Sequence, residues 1–562
     1  MDRHAAHPGK PGRQYALPQP AHAGPGTLHA DRRPPRLRGA LNLAPRGRRG
    51  RVIASLALSA LAGALAVAGF APYGHWPLTL LSLVLLFAAC GRAPSARWGI
   101  ALGFAWGLGF FLAGVSWIFV SLHDYGGMPA GLAALATLLF CAFLALFPAA
   151  AGGLAAATAN PAVRLLLALP LAWGASEWVR GWIFTGFPWL AVGYSQVPDG
   201  PLAGFAPLVG AYGVGYLLAL VAALLAWAAS RRGPLAPRLW GIAAAAACCV
   251  AGLALRDASW TTPAGPPTSV SLLQGNVSQD MKWRPEVTLE TLRLYARQAA
   301  AVPAQLIVLP ETALPVFESD LPERYRTALT DLGRAHGGDL LIGMPTGDLA
   351  GAYYNSVISL GTAPTQRYSK IHLVPFGEYL PWRAVWGWVL DVLHIPLSDF
   401  ARGAIDQRPL AIGGQRVAAN ICYEDAFGEE IIRQLPEATV LANVSNLAWF
   451  GDSLAPWQHA QMSQMRALET GRMMLRATNT GLTTIIDARG RIAAALPLFQ
   501  PGTLSGSLQG YAGATPYVRF GNGPVLALWG VLAVVWFALY RRGKDRSRTV
   551  AETATATLRQ RP

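Results

Sequence analysis

Eight apolar stretches, each near the roughly 20 residues that an α-helix needs to cross a bilayer, constrain this chain more than any other feature. They lie at about 52–71, 77–91, 99–121, 129–152, 162–180, 203–229, 239–255 and 523–540, the second being the shortest. Seven of them precede a more polar block at 256–522. The chain therefore reads as a polytopic α-helical membrane domain at 51–255, a separate domain at 256–522, a last membrane helix at 523–540 and a basic tail at 541–562. Residues 1–50, rich in Pro, Gly, Arg and His and without a periodic apolar face, read as a disordered basic extension.

Charge supports this division. Only 14% of the residues are charged and 53% are hydrophobic, whereas soluble domains carry about a quarter charged residues. The formal net charge of +16 is concentrated at the ends: residues 1–51 carry a net of +9 and residues 541–562 a net of +5. Basic flanks beside apolar segments mark cytoplasmic ends of a membrane protein rather than a nucleic-acid surface. The loops agree. Arg92 and Arg97, Arg164, Arg231 with Arg232 and Arg238, and Arg541 with Arg542 and Lys544 fall in alternate connections, while 73–76 and 122–127 carry no Lys or Arg. The expected topology is multi-pass, with both termini cytoplasmic and 256–522 outside the cytoplasm. Glu177 and Arg180, near the outer end of the fifth stretch, are costly in lipid unless paired. They read as a structural ion pair ahead of a headgroup site.

The 256–522 block alternates short β-type runs (270–273, 306–309, 340–342, 417–421, 440–444, 482–486) with helical stretches at 286–300 and about 456–476. The first of these helices sets Leu289, Leu292, Ala296 and Ala299 on one face. Such alternation implies an α/β layered domain, long enough for its own core. A further apolar segment between Pro381 and Pro396, with Trp382, Trp386 and Trp388, reads either as an interfacial lid or as an ordinary core helix. No His or Cys spacing suits a metal, and no cofactor is implied.

Three ionisable residues sit at the ends of apolar runs. Leu306-Ile-Val-Leu-Pro-Glu311 leads a buried strand into a carboxylate. Lys370-Ile-His-Leu-Val-Pro-Phe-Gly-Glu378 sets a lysine before an apolar turn and a second carboxylate after it. Asn420-Ile-Cys422-Tyr-Glu424 ends another strand in the one cysteine outside the apolar runs; Cys90, Cys141, Cys248 and Cys249 read as packed small hydrophobes. A thiol needs a base or a nearby cation to act as a nucleophile. A carboxylate can take its proton, and an ammonium can hold an oxyanion.

The order Glu–Lys–Cys with these flanks resembles the nitrilase superfamily. The runs Pro310-Glu311-Thr312, Lys370-Ile-His-Leu-Val-Pro-Phe-Gly-Glu378-Tyr379 and Ile421-Cys422-Tyr423-Glu424 resemble the apolipoprotein N-acyltransferase family more closely. So do Gln274-Gly-Asn-Val277, Lys282-Trp283, Asn446-Leu-Ala-Trp-Phe-Gly451, Pro456-Trp-Gln-His459, Phe187-Pro-Trp189 and Gly193-Tyr-Ser-Gln196. The resemblance covers roughly 52–540. Two departures stand out: Leu447 where the family commonly has Asp, and Leu309 where Trp is common.

The resemblance implies an α-β-β-α sandwich for 256–522 and a ping-pong acyl transfer without cofactor or metal. Cys422 would take an acyl chain from a phospholipid such as phosphatidylethanolamine, forming a thioester. The α-amino group of the N-terminal diacylglyceryl-cysteine of an apolipoprotein would then accept it. Glu311 is implied as general base and Lys370 as oxyanion stabiliser. Glu378 is implied as a second essential carboxylate, Trp283 as a substrate-site aromatic, and Tyr423 and Glu424 as flanks of the nucleophile, the Tyr423 N–H completing an oxyanion hole. Two other readings stay open on the residues alone: a membrane-tethered amidase or nitrilase with water as acceptor, and a transporter with an outer regulatory domain. The membrane stretches weigh against the first, and the absence of paired halves against the second.

Overall fold

Long runs of Ala, Leu, Val and Gly can satisfy their backbone in lipid only as helices, and the computed structural model, which describes residues 46–230, 235–279, 282, 284–381 and 399–559, folds them so. Among the described residues, seven helices are long and apolar enough to cross a membrane: Gly50–Gly69, Ala96–Val115, Ala130–Ala156, Pro161–Arg180, Ala203–Ala229, Leu235–Leu255 and Gly523–Gly543. The expected count of eight is not met at full length. Trp76–Gly91 is an apolar helix of 16 residues, which at 1.5 Å per residue reaches about 24 Å against a hydrocarbon core of about 30 Å. Leu61, Leu139 and Val534 point outward from these helices, as a lipid-facing surface requires. Residues 1–45 of the expected extension at 1–50, Trp283 and the expected lid with Trp382, Trp386 and Trp388 lie outside the described residues, whereas Arg46–Gly50, expected to be disordered, open the helix Arg46–Ala66.

Small residues let two of the helices touch backbone to backbone. Gly99, Gly103 and Gly107 recur every four residues, on one face of Ala96–Val115. A Cβ on Gly99 would fall 2.2 Å from the Gly152 carbonyl oxygen, and one on Gly103 2.2 Å from that of Pro148. Charge inside the bundle is paired. Arg180 lies 3.8 Å from Glu177 and donates to the carbonyls of Phe187 and Trp189, while Glu177 accepts from the Val192 N–H at 2.9 Å. The pair thus ties down the loop that follows its own helix.

Among the described residues, twelve strands build the second part: β1 (Thr261–Gln274), β2 (Leu306–Val308), β3 (Asp339–Gly347), β4 (Tyr353–Gly361), β5 (Arg367–Ser369), β6 (Leu410–Ile412), β7 (Gln415–Ile421), β8 (Val440–Ser445), β9 (Met474–Thr478), β10 (Thr484–Ile486), β11 (Ile492–Ala495) and β12 (Gly502–Gly513). They form two six-stranded sheets, ordered β12-β1-β2-β3-β4-β5 and β11-β10-β9-β8-β7-β6. Val270, Leu306, Val308 and Val357 of the first sheet meet Val417, Ala419, Ile421 and Val444 of the second in a shared core. Helices Pro285–Ala300 and Glu323–Ala335 cover the outer face of the first sheet through Leu292, Tyr295 and Leu329. Ala467 of the helix Ala455–Thr470 covers the second, against Ala418, Leu441 and Met474. This is the expected α-β-β-α sandwich.

Three expectations need correction. The helix expected over 456–476 ends at Thr470, because Gly471 takes the left-handed conformation (φ 63°) that closes a helix, and β9 follows. Helix Pro285–Ala300 buries Thr291, Leu292, Tyr295 and Ala299, leaving Leu289 exposed, so its inward face is rotated from the expected one. The run 482–486 pairs as a strand only over Thr484–Ile486.

The glycine stripe gives a matched test. Ala is the better helix former by about 1 kcal/mol, so Gly131→Ala, whose Cβ meets nothing within 4 Å, should leave the melting temperature in detergent unchanged or raised. Gly103→Ala should lower it, by an overpacking cost of about 1–3 kcal/mol. Equal melting of the two variants would contradict the close approach.

Candidate active site

The site forms where strands of both sheets end. β2, parallel to β1 and β3, is buried on both faces, and Pro310, which lacks an N–H, ends its ladder and delivers Glu311. β5 ends at Ser369 and delivers Lys370, whose N–H donates to the Asn355 carbonyl at 2.8 Å. β7, from the facing sheet, delivers Cys422. Cys422 has φ 53°, a left-handed conformation that a non-glycine residue avoids, and it opens the turn Cys422–Ala426. That reversal breaks the strand's side-to-side alternation and lifts the thiol out of the sheet.

Lys370 is the centre of the arrangement. Its side chain is 1% exposed; its Nζ donates to Glu378 Oε1 at 2.8 Å and lies 3.5 Å from Glu311 Oε1. Asn355, on β4, donates from one Nδ2 to both carboxylates, at 2.7 Å to Glu311 and 2.8 Å to Glu378. Glu311 Oε2 accepts from the Asn446 N–H at 2.7 Å, and Glu378 Oε2 from the Val374 N–H at 2.8 Å. Burial works against the Lys370 ammonium, but Glu378 and Glu311 outweigh it and hold its pKa above the usual lysine range. Lys282, also buried, donates to the Glu311 carbonyl at 3.4 Å, and burial lowers its pKa to about 8.

Cys422 is partly exposed. Burial of its sulfur nevertheless pushes the thiol pKa well up, Glu311 adds to the rise, and Lys370 opposes it. The resting group is a thiol, so a reaction through sulfur needs a base at the moment of attack. The charges acting on this sulfur include Glu311, Lys370, Glu378 and Arg476.

The two residues after the cysteine face different ways. Glu424 accepts from the Ile421 N–H (2.7 Å), the Ile371 N–H (2.6 Å), the His372 N–H (3.1 Å) and the Tyr368 hydroxyl (3.0 Å). It therefore fastens the turn after Cys422 to the loop after Lys370. Burial raises its pKa to about 7 against those donors. Tyr423 turns instead to the membrane helices: its hydroxyl donates to the Gly186 carbonyl at 3.0 Å, and its ring stacks on Trp189 at 6.4 Å.

The neighbouring helix Ala455–Thr470 is seated on the same helices by two glutamines one turn apart. Gln458 Oε1 accepts from the indole N–H groups of Trp117 (3.2 Å) and Trp189 (2.7 Å), and its Nε2 donates to the Gly114 carbonyl at 3.0 Å. Gln461 accepts from the Ala71 N–H and donates to the Val197 carbonyl. Leu447, the departure from the family's usual Asp, is buried against Gly481.

Of the residues expected at the site, the structure thus joins Glu311, Lys370 and Glu378 by direct contact, sets Cys422 within their field, and gives Glu424 and Tyr423 anchoring positions. Asn355 was not anticipated. Its only sequence signal is an amide inside the apolar run Tyr353–Gly361.

A family model described as Apolipoprotein N-acyltransferase N-terminal domain matches residues 62–224, and one described as Carbon-nitrogen hydrolase matches residues 269–517. An apolipoprotein N-acyltransferase of Nitrosomonas europaea is 51% identical over 489 residues, covering 86% of this chain and 96% of the relative. One of Chromobacterium violaceum is 48% identical over 499 residues, covering 88% and 96%. Among solved structures, an amidase from Nesterenkonia sp. matches 46% of this chain and 95% of its own, at 18% identity and a TM-score of 0.34. The chain belongs to the apolipoprotein N-acyltransferase family: a multi-pass bacterial membrane acyltransferase carrying a carbon-nitrogen hydrolase domain.

Proposed function

We propose that the chain moves an acyl chain from a phospholipid, through a thioester on Cys422, to the α-amino group of the N-terminal diacylglyceryl-cysteine of apolipoproteins. The observation that carries this reading is the buried Lys370 ammonium, held by Glu378 and Glu311 beside a thiol on a left-handed turn. Such a cation stabilises negative charge that develops beside it.

In the first half-reaction Glu311 takes the thiol proton as Cys422 Sγ attacks the ester carbonyl carbon. Lys370, with the Tyr423 N–H, holds the oxyanion. Collapse breaks the C–O bond, and the lysophospholipid oxygen leaves with the proton from Glu311. In the second half the acceptor amine attacks the thioester, Glu311 takes a proton from the nitrogen, and Sγ leaves and is reprotonated as the amide forms. Glu378 and Asn355 keep Glu311 and Lys370 in register. Neither half-reaction needs a cofactor or a metal. A phosphatidylethanolamine-like donor fits a site seated on apolar helices by Gln458 and Tyr423.

The domain at 256–522 is proposed to face the periplasm, with 51–255 and 523–540 in the inner membrane and the basic tail at 541–562 in the cytoplasm. The support is the Arg-rich alternation of the loops, with Trp76–Gly91 counted as a crossing. An alkaline phosphatase fusion after Gly275 should be active and one after Arg232 inactive; the opposite pattern would reverse the topology.

Lys370→Ala should cut turnover by a factor of about 100 or more, the scale of losing one oxyanion contact, while the protein still accumulates in the membrane. Lys370→Arg should not restore it, because a planar fork does not occupy the place of a compact ammonium. Normal rates in Lys370→Ala would remove Lys370 from the chemistry, and normal rates in Lys370→Arg would show that its charge alone is needed.

Incubated with phosphatidylethanolamine and no acceptor, the enzyme should gain one acyl chain at Cys422, which neutral hydroxylamine releases. Cys422→Ala should gain none, and Glu311→Gln should gain it slowly. Transfer without any adduct detectable by mass spectrometry would exclude the thioester. Release of free fatty acid in place of an adduct would favour hydrolysis by water.

A further inference from the structure

The turn that carries Cys422 is held from beneath by residues with no part in the chemistry described above. Two donors converge on the Cys422 carbonyl: Asn443 Nδ2 at 3.2 Å and His459 Nε2 at 3.0 Å. Both lead back to one guanidinium. Arg476 donates from Nη1 to Asn443 Oδ1 at 2.8 Å and from Nη2 to His459 Nδ1 at 3.0 Å. Asn420, Asn443 and Arg476 are register partners across the parallel strands β7, β8 and β9, so the sheet itself sets the spacing of this row. Arg476 also pairs with Asp425 at 3.2 Å, and Ser463 donates to the same carboxylate.

The imidazole is committed to one tautomer. Because Arg476 can only donate, Nδ1 must accept, and the proton sits on Nε2, facing the carbonyl. Burial first, and then the positive charges of Arg476 and Lys370, hold the ring well below the ordinary histidine pKa, so it stays neutral. Its position is also set from outside the domain. The preceding residue is Gln458, clasped by Trp117 and Trp189, and the Trp189 ring lies 5.5 Å from the imidazole.

We infer that His459 is a positioning residue for the acylation step: its Nε2–H, by holding the Cys422 carbonyl, keeps the cysteine in the left-handed conformation that presents Sγ to Glu311 and Lys370, and it links that conformation to the seating of the domain on the membrane helices. This rests on the reading of Cys422 as nucleophile. A left-handed non-glycine residue is strained and persists only where its surroundings over-determine it. The carbonyl, with both lone pairs engaged by Asn443 and His459, is where that restraint acts.

Two substitutions separate the two ends of the ring. Gln sets an amide nitrogen near the place of Nε2, so His459→Gln retains the donor to Cys422 and loses the acceptor for Arg476. Asn reaches only as far as Nδ1, so His459→Asn retains the acceptor and loses the donor. Full-length enzyme in detergent, assayed for single-turnover acylation from phosphatidylethanolamine and for KM, gives the readout. His459→Gln should acylate within about threefold of wild type. His459→Asn should be slower by about tenfold or more, the scale of a small misplacement of a reacting group, with KM unchanged. Alkylation of Cys422 by iodoacetamide should fall in the same order. If His459→Asn acylates as fast as His459→Gln or faster, the inference is wrong and the histidine serves only the packing of Arg476. Loss of folding in both variants, read from the melting temperature, would equally assign it a structural role. The wild-type arm stands apart from these outcomes: no adduct there would overturn the Cys422 reading itself.

Discussion

A fully buried ammonium cannot stay charged without partners, and the requirement to pair Lys370 organises much of the catalytic domain. Glu378 and Glu311 meet it from two different loops, and Asn355 bridges the two carboxylates from a strand between them. Each partner is fixed in turn by a backbone donor, from Asn446 or Val374. Removing any one member would leave another charge or amide buried and unsatisfied. The strand ends are therefore held in register by electrostatics as well as by the ladders. The cluster is a product of sheet geometry, since β2 and β5 deliver their residues on the same edge and β7 delivers Cys422 from the facing sheet.

The contact between the two parts of the chain follows another logic. Lipid offers no hydrogen bonds, so the loops at the ends of the membrane helices must find theirs within the protein. Glu177 and Arg180 satisfy the loop that carries Trp189; Trp189 then satisfies Gln458, and Tyr423 satisfies Gly186. Polar groups of the carbon-nitrogen hydrolase domain complete the membrane part, and those of the membrane part complete the helix beside Cys422.

The membrane helices were legible because the bilayer demands long apolar runs, and runs are visible in one dimension. Trp76–Gly91 was the exception, being short enough to stand below full crossing length. Glu311, Lys370, Glu378 and Cys422 were legible because each ends a short apolar run in a recognisable motif. Asn355 carries no such signal, and His459 shows only as the end of a family-like run without a role, because what each touches lies across 44 and 37 residues of chain respectively. β9 was read as the end of a helix. In one dimension its Arg476 is an ordinary cation, and only the three-strand row shows it buried; the helix stop at Gly471 is a single glycine among many.

The left-handed backbone at Cys422 makes the placing of its thiol a property of the folded molecule. A nascent chain has an ordinary thiol at this position, because nothing local favours φ 53° in a residue with a side chain. The β7–β9 row holds that conformation, and the helix bearing His459 is seated by Trp117 and Trp189, which lie in the turn and the loop at the ends of membrane helices. On the reading of Cys422 proposed above, its sulfur meets Glu311 and Lys370 only in a chain whose membrane part is also in place, so the placing of one atom depends on both parts of the chain.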